Sequence, residues 1–134
     1  MKKSSYRDLD IYQLAHELAV AIHKFSLSLP KYELYETGSQ LRRSSKSVSA
    51  NIVEGYGRRR YKSEYLRYLV IAQASCDESI EWVNYIIDCH EDTKDDAGKI
   101  IQQLNELGKK INRFIYAVEK RHLAGSNIEA IGGN

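Results

Sequence analysis

The sequence predicts an all-α protein, an antiparallel up-down four-helix bundle. Three observations carry that reading. Apolar residues recur every three or four positions in four separate segments, no stretch alternates as a strand would, and chain breakers are scarce. The 134 residues include one proline and eight glycines, three of them in the last ten positions. Long helices are therefore interrupted only near their ends. A chain this long makes one domain. It buries about two-thirds of the surface its unfolded form exposes, so it needs no disulfide or metal staple. The expected domain is 1–122, with helices at about 9–29, 38–57, 63–91 and 96–121 and a flexible tail at 123–134.

The first helix is read from LDIYQLAHELAVAIHKFSLSLP, where Ile11, Leu14, Leu18, Ile22, Phe25 and Leu29 form one face. Asp8 or Asp10 can cap its start, and Pro30 ends it. KYELYETG connects to a second helix whose thin apolar seam is Leu41, Val48 and Ile52, with Ser45 filling the missing step. The small side chains of SSKSVSA let a neighbouring helix approach closely. Serine is a poor helix former, so this helix depends on tertiary packing.

The third helix is expected to start at Ser63, an N-cap with Glu64 in the first turn. Leu66, Leu69, Gln73, Cys76, Ile80, Val83 and Ile87 make a heptad-like seam. A second stripe, Tyr65, Tyr68, Ala72, Ser75, Ser79, Trp82 and Ile86, runs beside it. Two adjacent stripes imply more than one neighbour, a first hint of an oligomer. HEDTKDDAGK reads as a polar turn. The fourth helix follows, with Ile100, Leu104, Leu107, Ile111, Phe114 and Val118 on one face and Arg121 and His122 suited to its negative pole.

Composition excludes several classes. MKKSSYRDLD is basic but leads into no apolar segment, so no secretory signal is expected. No run of about 18 apolar residues offers a membrane span. Cys76 and Cys89 read as small core-facing helix residues, and the expected compartment is the cytoplasm. GYG at 55–57 is not a P-loop, which ends in Lys and Ser or Thr, nor a dinucleotide fingerprint, which follows a strand. His16 and Glu17 begin like a zinc-peptidase motif, but the next histidine is His23, seven positions on rather than four. His90 beside Cys89 lacks further ligands. No enzyme, metal or cofactor is expected.

Charge is informative because it is segregated. The net charge is only +2, yet 40–68 holds eight bases and two acids, while 76–99 holds eight acids and two bases. Such separation suits a polyanion or another copy of the same chain. On the second helix, Gln40, Ser44, Ser47, Asn51, Glu54 and Arg58 step by four and three and share one polar face. That face is either solvated or a seam in which Asn51, Glu54 and an arginine bond across helices. The eight bases are Arg42, Arg43, Lys46, Arg58, Arg59, Arg60, Lys62 and Arg67, interleaved with Tyr56, Tyr61, Tyr65 and Tyr68. They can hold phosphates while the rings stack on unpaired bases, or they can pair with the acidic third helix of a neighbour.

The stretch QLRRSSKSVSANIVEGYGRRR resembles the signature of the 23S rRNA intervening-sequence proteins, also labelled S23 ribosomal proteins. Gln40, Arg42 and Arg43 match its first part, Ser47, Val48, Asn51, Ile52, Glu54 and Gly55 its second, and Gly57 and Arg58 its last. In this signature Gly55 reads as a close-packing position and Gly57 as a conformation that a side chain would resist. DLDIYQLAHELA, LPKYELYETGSQ and YLVIAQASCDES are similar to the family's flanking segments, so the likeness spans roughly 6–120. The resemblance implies a ring-shaped homo-oligomer, a homopentamer. The accessory proteins of diversity-generating retroelements look like relatives, being pentameric, basic and bound to nucleic acid beside a reverse transcriptase. The family name reflects where some members are encoded, within insertions in ribosomal RNA genes, and association with rRNA or the ribosome is its furthest implication. The functional expectation is a non-enzymatic bundle that binds RNA or DNA through the eight bases. The alternative is a scaffold recruiting a protein such as a polymerase or nuclease, with the bases serving subunit assembly.

Overall fold

The computed structural model describes residues 5–121 and contains four helices: α1 (Asp10–Leu27), α2 (Thr37–Gly57), α3 (Lys62–Cys89) and α4 (Lys94–Arg121). No strand occurs among the described residues. The dipole role expected of the Arg121 and His122 side chains, and the tail at 123–134, lie outside them. Helix α2 packs on α1 and α3, α3 packs on α4, and α4 returns to α1. Around their common axis lie Ile22 from α1, Leu41 and Ile52 from α2, Leu69 and Ile86 from α3, and Leu107 and Ile111 from α4. Each such side chain contributes about 1.5–3 kcal/mol on burial.

Side-chain pairs fix the register. Arg42 donates to Ser26 and Lys46 lies against His23 across α1 and α2. Ser44 meets Ser79 and Ser47 meets Ser75 across α2 and α3. Cys76 donates to the Leu104 carbonyl and Lys62 to that of Glu119 across α3 and α4. Lys110 bonds Asp10 at 3.0 Å, closing α4 on α1.

The starts of α1, α3 and α4 differ from the sequence reading. Asp8 does not cap α1, whose N-cap position is Leu9 with no side-chain bond. Its carboxylate accepts from the Ser5 amide instead, steadying the 3-10 turn Tyr6–Asp8. Asp10 is already helical and faces Lys110. Ser63 is not an N-cap either, because the turn leaving α2 brings Tyr61 to that position. The Arg58 and Arg59 amides bond back to Gly55 and Tyr56, and the Tyr61 carbonyl takes the Tyr65 amide. HEDTKDDAGK splits: Glu91–Thr93 form a 3-10 turn, and α4 begins at Lys94 with Asp95 and Asp96 in its first turn. There the helix dipole favours negative charge.

Both stripes of α3 are used inside the chain. Tyr65, Ala72, Ser75, Ser79 and Ile86 are buried, and Ser75 and Ser79 bond to α2. Leu69, Cys76 and Val83 are buried too, with Cys76 bonded to α4. The second neighbour inferred from the double stripe is therefore another helix of the same chain, and the stripe gives no sign of an oligomer.

A buried ionisable pair ties the two connections at one end together. His90 Nε2 lies 2.6 Å from Glu33 Oε2, with their side chains 9% and 6% exposed. The other Glu33 oxygen accepts from the Thr37 amide at 3.2 Å, capping the start of α2. Sequence reading weighed His90 only as a metal ligand and missed this partner, 57 positions away. Gly38 completes the joint, since a Cβ there would fall 2.5 Å from the Glu33 carbonyl oxygen.

Three outcomes follow for stability. Thermal melts should rank alanine variants of the glycines. Gly38→Ala should lose about 2 kcal/mol through overpacking against backbone. Gly55→Ala, whose Cβ would meet the Tyr68 Cβ at 3.1 Å, should lose less. Gly57→Ala should gain about 0.5 kcal/mol. Gly57 has open space and no left-handed backbone, so the strained conformation expected there is absent. His90→Ala leaves the Glu33 carboxylate buried without its partner and should cost about 3 kcal/mol, read as a drop in midpoint of roughly 10 °C; an unchanged midpoint would refute the pair's role. Cys76 is buried, while Cys89 is exposed rather than core-facing. Desolvation foremost, and then Asp77, push the Cys76 thiol up to about 12. Iodoacetamide at pH 8 should therefore modify Cys89 alone in the folded protein and both thiols after unfolding, as intact mass will show.

Candidate nucleic-acid interface

The eight bases fall into two groups. Arg42, Arg43 and Lys46 occupy the first half of α2. Arg58, Arg59, Arg60, Lys62 and Arg67 surround the corner between α2 and α3. At 1.5 Å per residue, Arg43 and the end of α2 at Gly57 are about 20 Å apart, so the bases do not form one continuous patch.

Several are committed within the fold. Arg42 is half-buried and donates to Ser26 Oγ at 2.9 Å and to the Leu34 carbonyl at 2.6 Å, clamping the end of α1 and the following 3-10 turn onto α2. Lys62 donates to the Glu119 carbonyl at 2.7 Å, placing a cation at the C-terminal end of α4 where the dipole favours it. Arg59 donates to the Tyr56 carbonyl and lies 3.9 Å from the Tyr56 ring centroid.

Arg58 organises the corner. Its Nε donates to Glu54 at 3.1 Å, and its NH1 reaches Glu64 on α3 at 3.2 Å. The Glu54 hydrogen bond, then Tyr68, then the charges of Glu54 and Glu64 raise its pKa above the usual arginine range, so it stays charged throughout. The guanidinium sits 4.9 Å from the Tyr68 ring, and Arg67 approaches the same ring at 5.8 Å. Arg67 pairs loosely with Glu64 at 3.8 Å and is 66% exposed. Arg60 and Tyr61 are exposed at the tip. Of the five cations at the corner, Arg58 and Arg67 engage the two carboxylates, Glu54 and Glu64, and the Tyr61 ring is exposed.

The polar face of α2 divides along its length. Gln40 is exposed. Ser44 and Ser47 turn towards α3 and meet Ser79 at 2.8 Å and Ser75 at 2.9 Å. Asn51 donates back to the Ser47 carbonyl and hydroxyl, holding that serine in place. Glu54 belongs to the Arg58 network. The middle is an interhelical seam whose partners are serines, and at the end of the face Arg58 links Glu54 to Glu64 on α3. Ser75 and Ser79, four apart on α3, match Ser44 and Ser47, three apart on α2; that spacing was the available signal. Glu64, read from sequence only as a first-turn acid, also braces Arg58 and Arg67.

Among the described residues, no helix is long and apolar enough to cross a membrane, and no three His, Cys, Asp or Glu side chains gather as a metal site. Comparison with solved structures finds a crystal structure of a protein of unknown function from the S23 ribosomal protein family of Bacteroides thetaiotaomicron. It is 22% identical, with a TM-score of 0.72, covering 79% of this chain and 95% of that one. That likeness establishes the shared fold. No curated protein matches the chain. Residues 7–113, which take in α1, α2, α3 and most of α4, match the 23S rRNA-intervening sequence protein family. The chain belongs to that family.

Proposed function

We propose that the protein is a non-enzymatic, homo-oligomeric antiparallel bundle that binds RNA or other nucleic acid with little regard to sequence. The observation that carries this reading is the α2–α3 corner. Arg60, Arg67 and the Tyr61 ring are all exposed there, on a base braced by Arg58, Arg59 and Lys62. Phosphates attract such cations regardless of sequence, and an exposed tyrosine offers a face on which any unpaired base can stack. Arg43 and Lys46 add a second contact further along α2. The antiparallel sense is supported by pairs such as 44 with 79 and 47 with 75, whose numbers run in opposite directions. A ring, and a pentamer in particular, is the assembly to which family membership points. The free thiols fit a reducing, cytoplasmic setting.

A second reading, a scaffold that recruits a protein partner such as a polymerase or nuclease, draws on a different observation. Arg42, Arg58 and Lys62 spend their charge on bonds within the chain, leaving fewer cations for a polyanion.

The two readings part in one experiment. Reversing Arg58 and Arg59 would also disturb the corner, so the informative variant is Arg60→Glu with Arg67→Glu. Fluorescence anisotropy with a labelled single-stranded RNA should show log affinity falling against log salt with a slope of about −3 to −5 for four to six phosphate contacts. The double variant should lose most of that affinity with helicity unchanged. Tyr61→Ala should weaken binding about tenfold. Equal affinities for all three proteins would reject the nucleic-acid reading and favour the scaffold.

A further inference from the structure

Two faces of the molecule have no other helix packed on them among the described residues, and they are complementary. The first is a groove of about 340 Å³ between α1 and α2. Ala19 and Val20 form its floor, His16, His23, Lys24 and Lys46 stand around it, and none of its described lining residues is acidic. Lys46 lies 3.1 Å from His23, and Arg43, exposed one turn earlier, shares that side of α2. The second is the outward strip of α3. Val70 and Ile71 are 52% and 38% exposed, Ala74 is exposed one turn on, and Asp77, Glu78 and Glu81 follow.

We infer that these faces bind each other between copies of the chain, the α3 strip of one copy lying in the α1–α2 groove of the next. The inference rests on the homo-oligomer reading and supplies its interface. Three arguments carry it. Shape comes first: a groove between two helices accepts the ridge of a third, formed by residues four apart. Chemistry is second. The strip offers Val70, Ile71 and Ala74 to the apolar floor, and Asp77, Glu78 and Glu81 to Lys24, Lys46 and Arg43. Burying this apolar surface supplies attraction, while the charges select the partner and fix the register.

Direction is third. On α1 the floor at 19–20 precedes the cation at 24, and on α3 the apolar stretch at 70–74 precedes the acids at 77–81. Matching like with like makes the incoming α3 run the same way as α1. Within one chain α1 and α3 already share that sense, since 26 and 23 pair with 42 and 46, and 44 and 47 with 79 and 75, each running in opposite directions. Successive copies therefore stand the same way up. An interface between two different patches propagates head to tail and closes into a ring when the rotation per copy allows it.

Size-exclusion chromatography with light scattering on the full chain tests this. Lys24→Glu with Lys46→Glu, or Asp77→Lys with Glu81→Lys, should each reduce the assembled mass towards the 15.4 kDa monomer at concentrations where the unaltered protein is assembled. The quadruple variant, which inverts both sides of the attraction, should return to the unaltered mass with unchanged helicity by circular dichroism. If the unaltered protein is assembled and both double variants keep its mass, the interface is wrong although the homo-oligomer reading stands. Failure of the quadruple variant to reassemble would likewise overturn the pairing. A monomer at every concentration in the unaltered protein would overturn the interface and the homo-oligomer reading together, leaving these faces to a different partner.

Discussion

The fold depends on how closely α2 can lie against α3. Alone, α2 is a poor helix: its sequence is rich in serine and glycine, and only a few large apolar side chains mark its buried face. Its stability has to come from contact. Small side chains at 44, 47, 75 and 79 and the bare Cα of Gly55 allow the two backbones to approach, and Leu41, Val48 and Ile52 then reach the core. Close approach would normally strand polar groups between helices, each costing about 1–3 kcal/mol if left unpaired. The serines avoid that cost by bonding to one another, and Asn51 holds Ser47 in place. The family-signature positions Ser47, Asn51 and Gly55 are thus parts of one packing device.

That device also determines where the corner falls. With α2 pressed against α3 up to Gly55 and Tyr68, the chain must reverse within a few residues, and the arginines that follow are held at its tip. Arg58 then spans Glu54 and Glu64, one from each helix, over the Tyr68 ring. An exposed ion pair contributes little to stability on its own, about 0–1 kcal/mol. Its consequence here is positional: by engaging both carboxylates, Arg58 leaves Arg60 uncompensated and Arg67 only loosely paired. The cations that face solvent are those the helix packing did not use.

The helices were legible from sequence because each buries a periodic face, and periodicity survives in a string of letters. Legibility failed where a partner lies far along the chain. Glu33 and His90 are unremarkable letters 57 positions apart until the two connections meet. Arg42 reads as another basic residue beside Arg43, yet one helical step turns it inward to Ser26 and the Leu34 carbonyl. The misplacement of Ser63 has a local cause: capping preference favours serine, but the geometry of the preceding turn brings Tyr61 to the cap position. Of the candidate interface, the residue types were legible and their division between structure and surface was not.

That division resolves part of the ambiguity in the segregated charge. A run of cations in sequence invites a single role, but in the fold the run performs several. Arg42 fixes one end of α2, Arg58 and Lys62 fix the other, and Arg43, Lys46, Arg60 and Arg67 face outward at separate places. The acids divide similarly: Asp95 and Asp96 favour the start of α4, while Asp77, Glu78 and Glu81 line an outer face with no opposing charge within hydrogen-bond reach among the described residues. Exposed charges more than about 8–10 Å apart are largely screened at physiological salt, so widely separated outward cations act as distinct local sites. One polyanion need not engage them all. A nucleic acid at the tip of the corner engages Arg60, Tyr61 and Arg67, none of which lines the α1–α2 groove, so a neighbouring subunit can occupy the groove at the same time. Arg43 and Lys46, which border the groove, can serve only one of the two contacts at once.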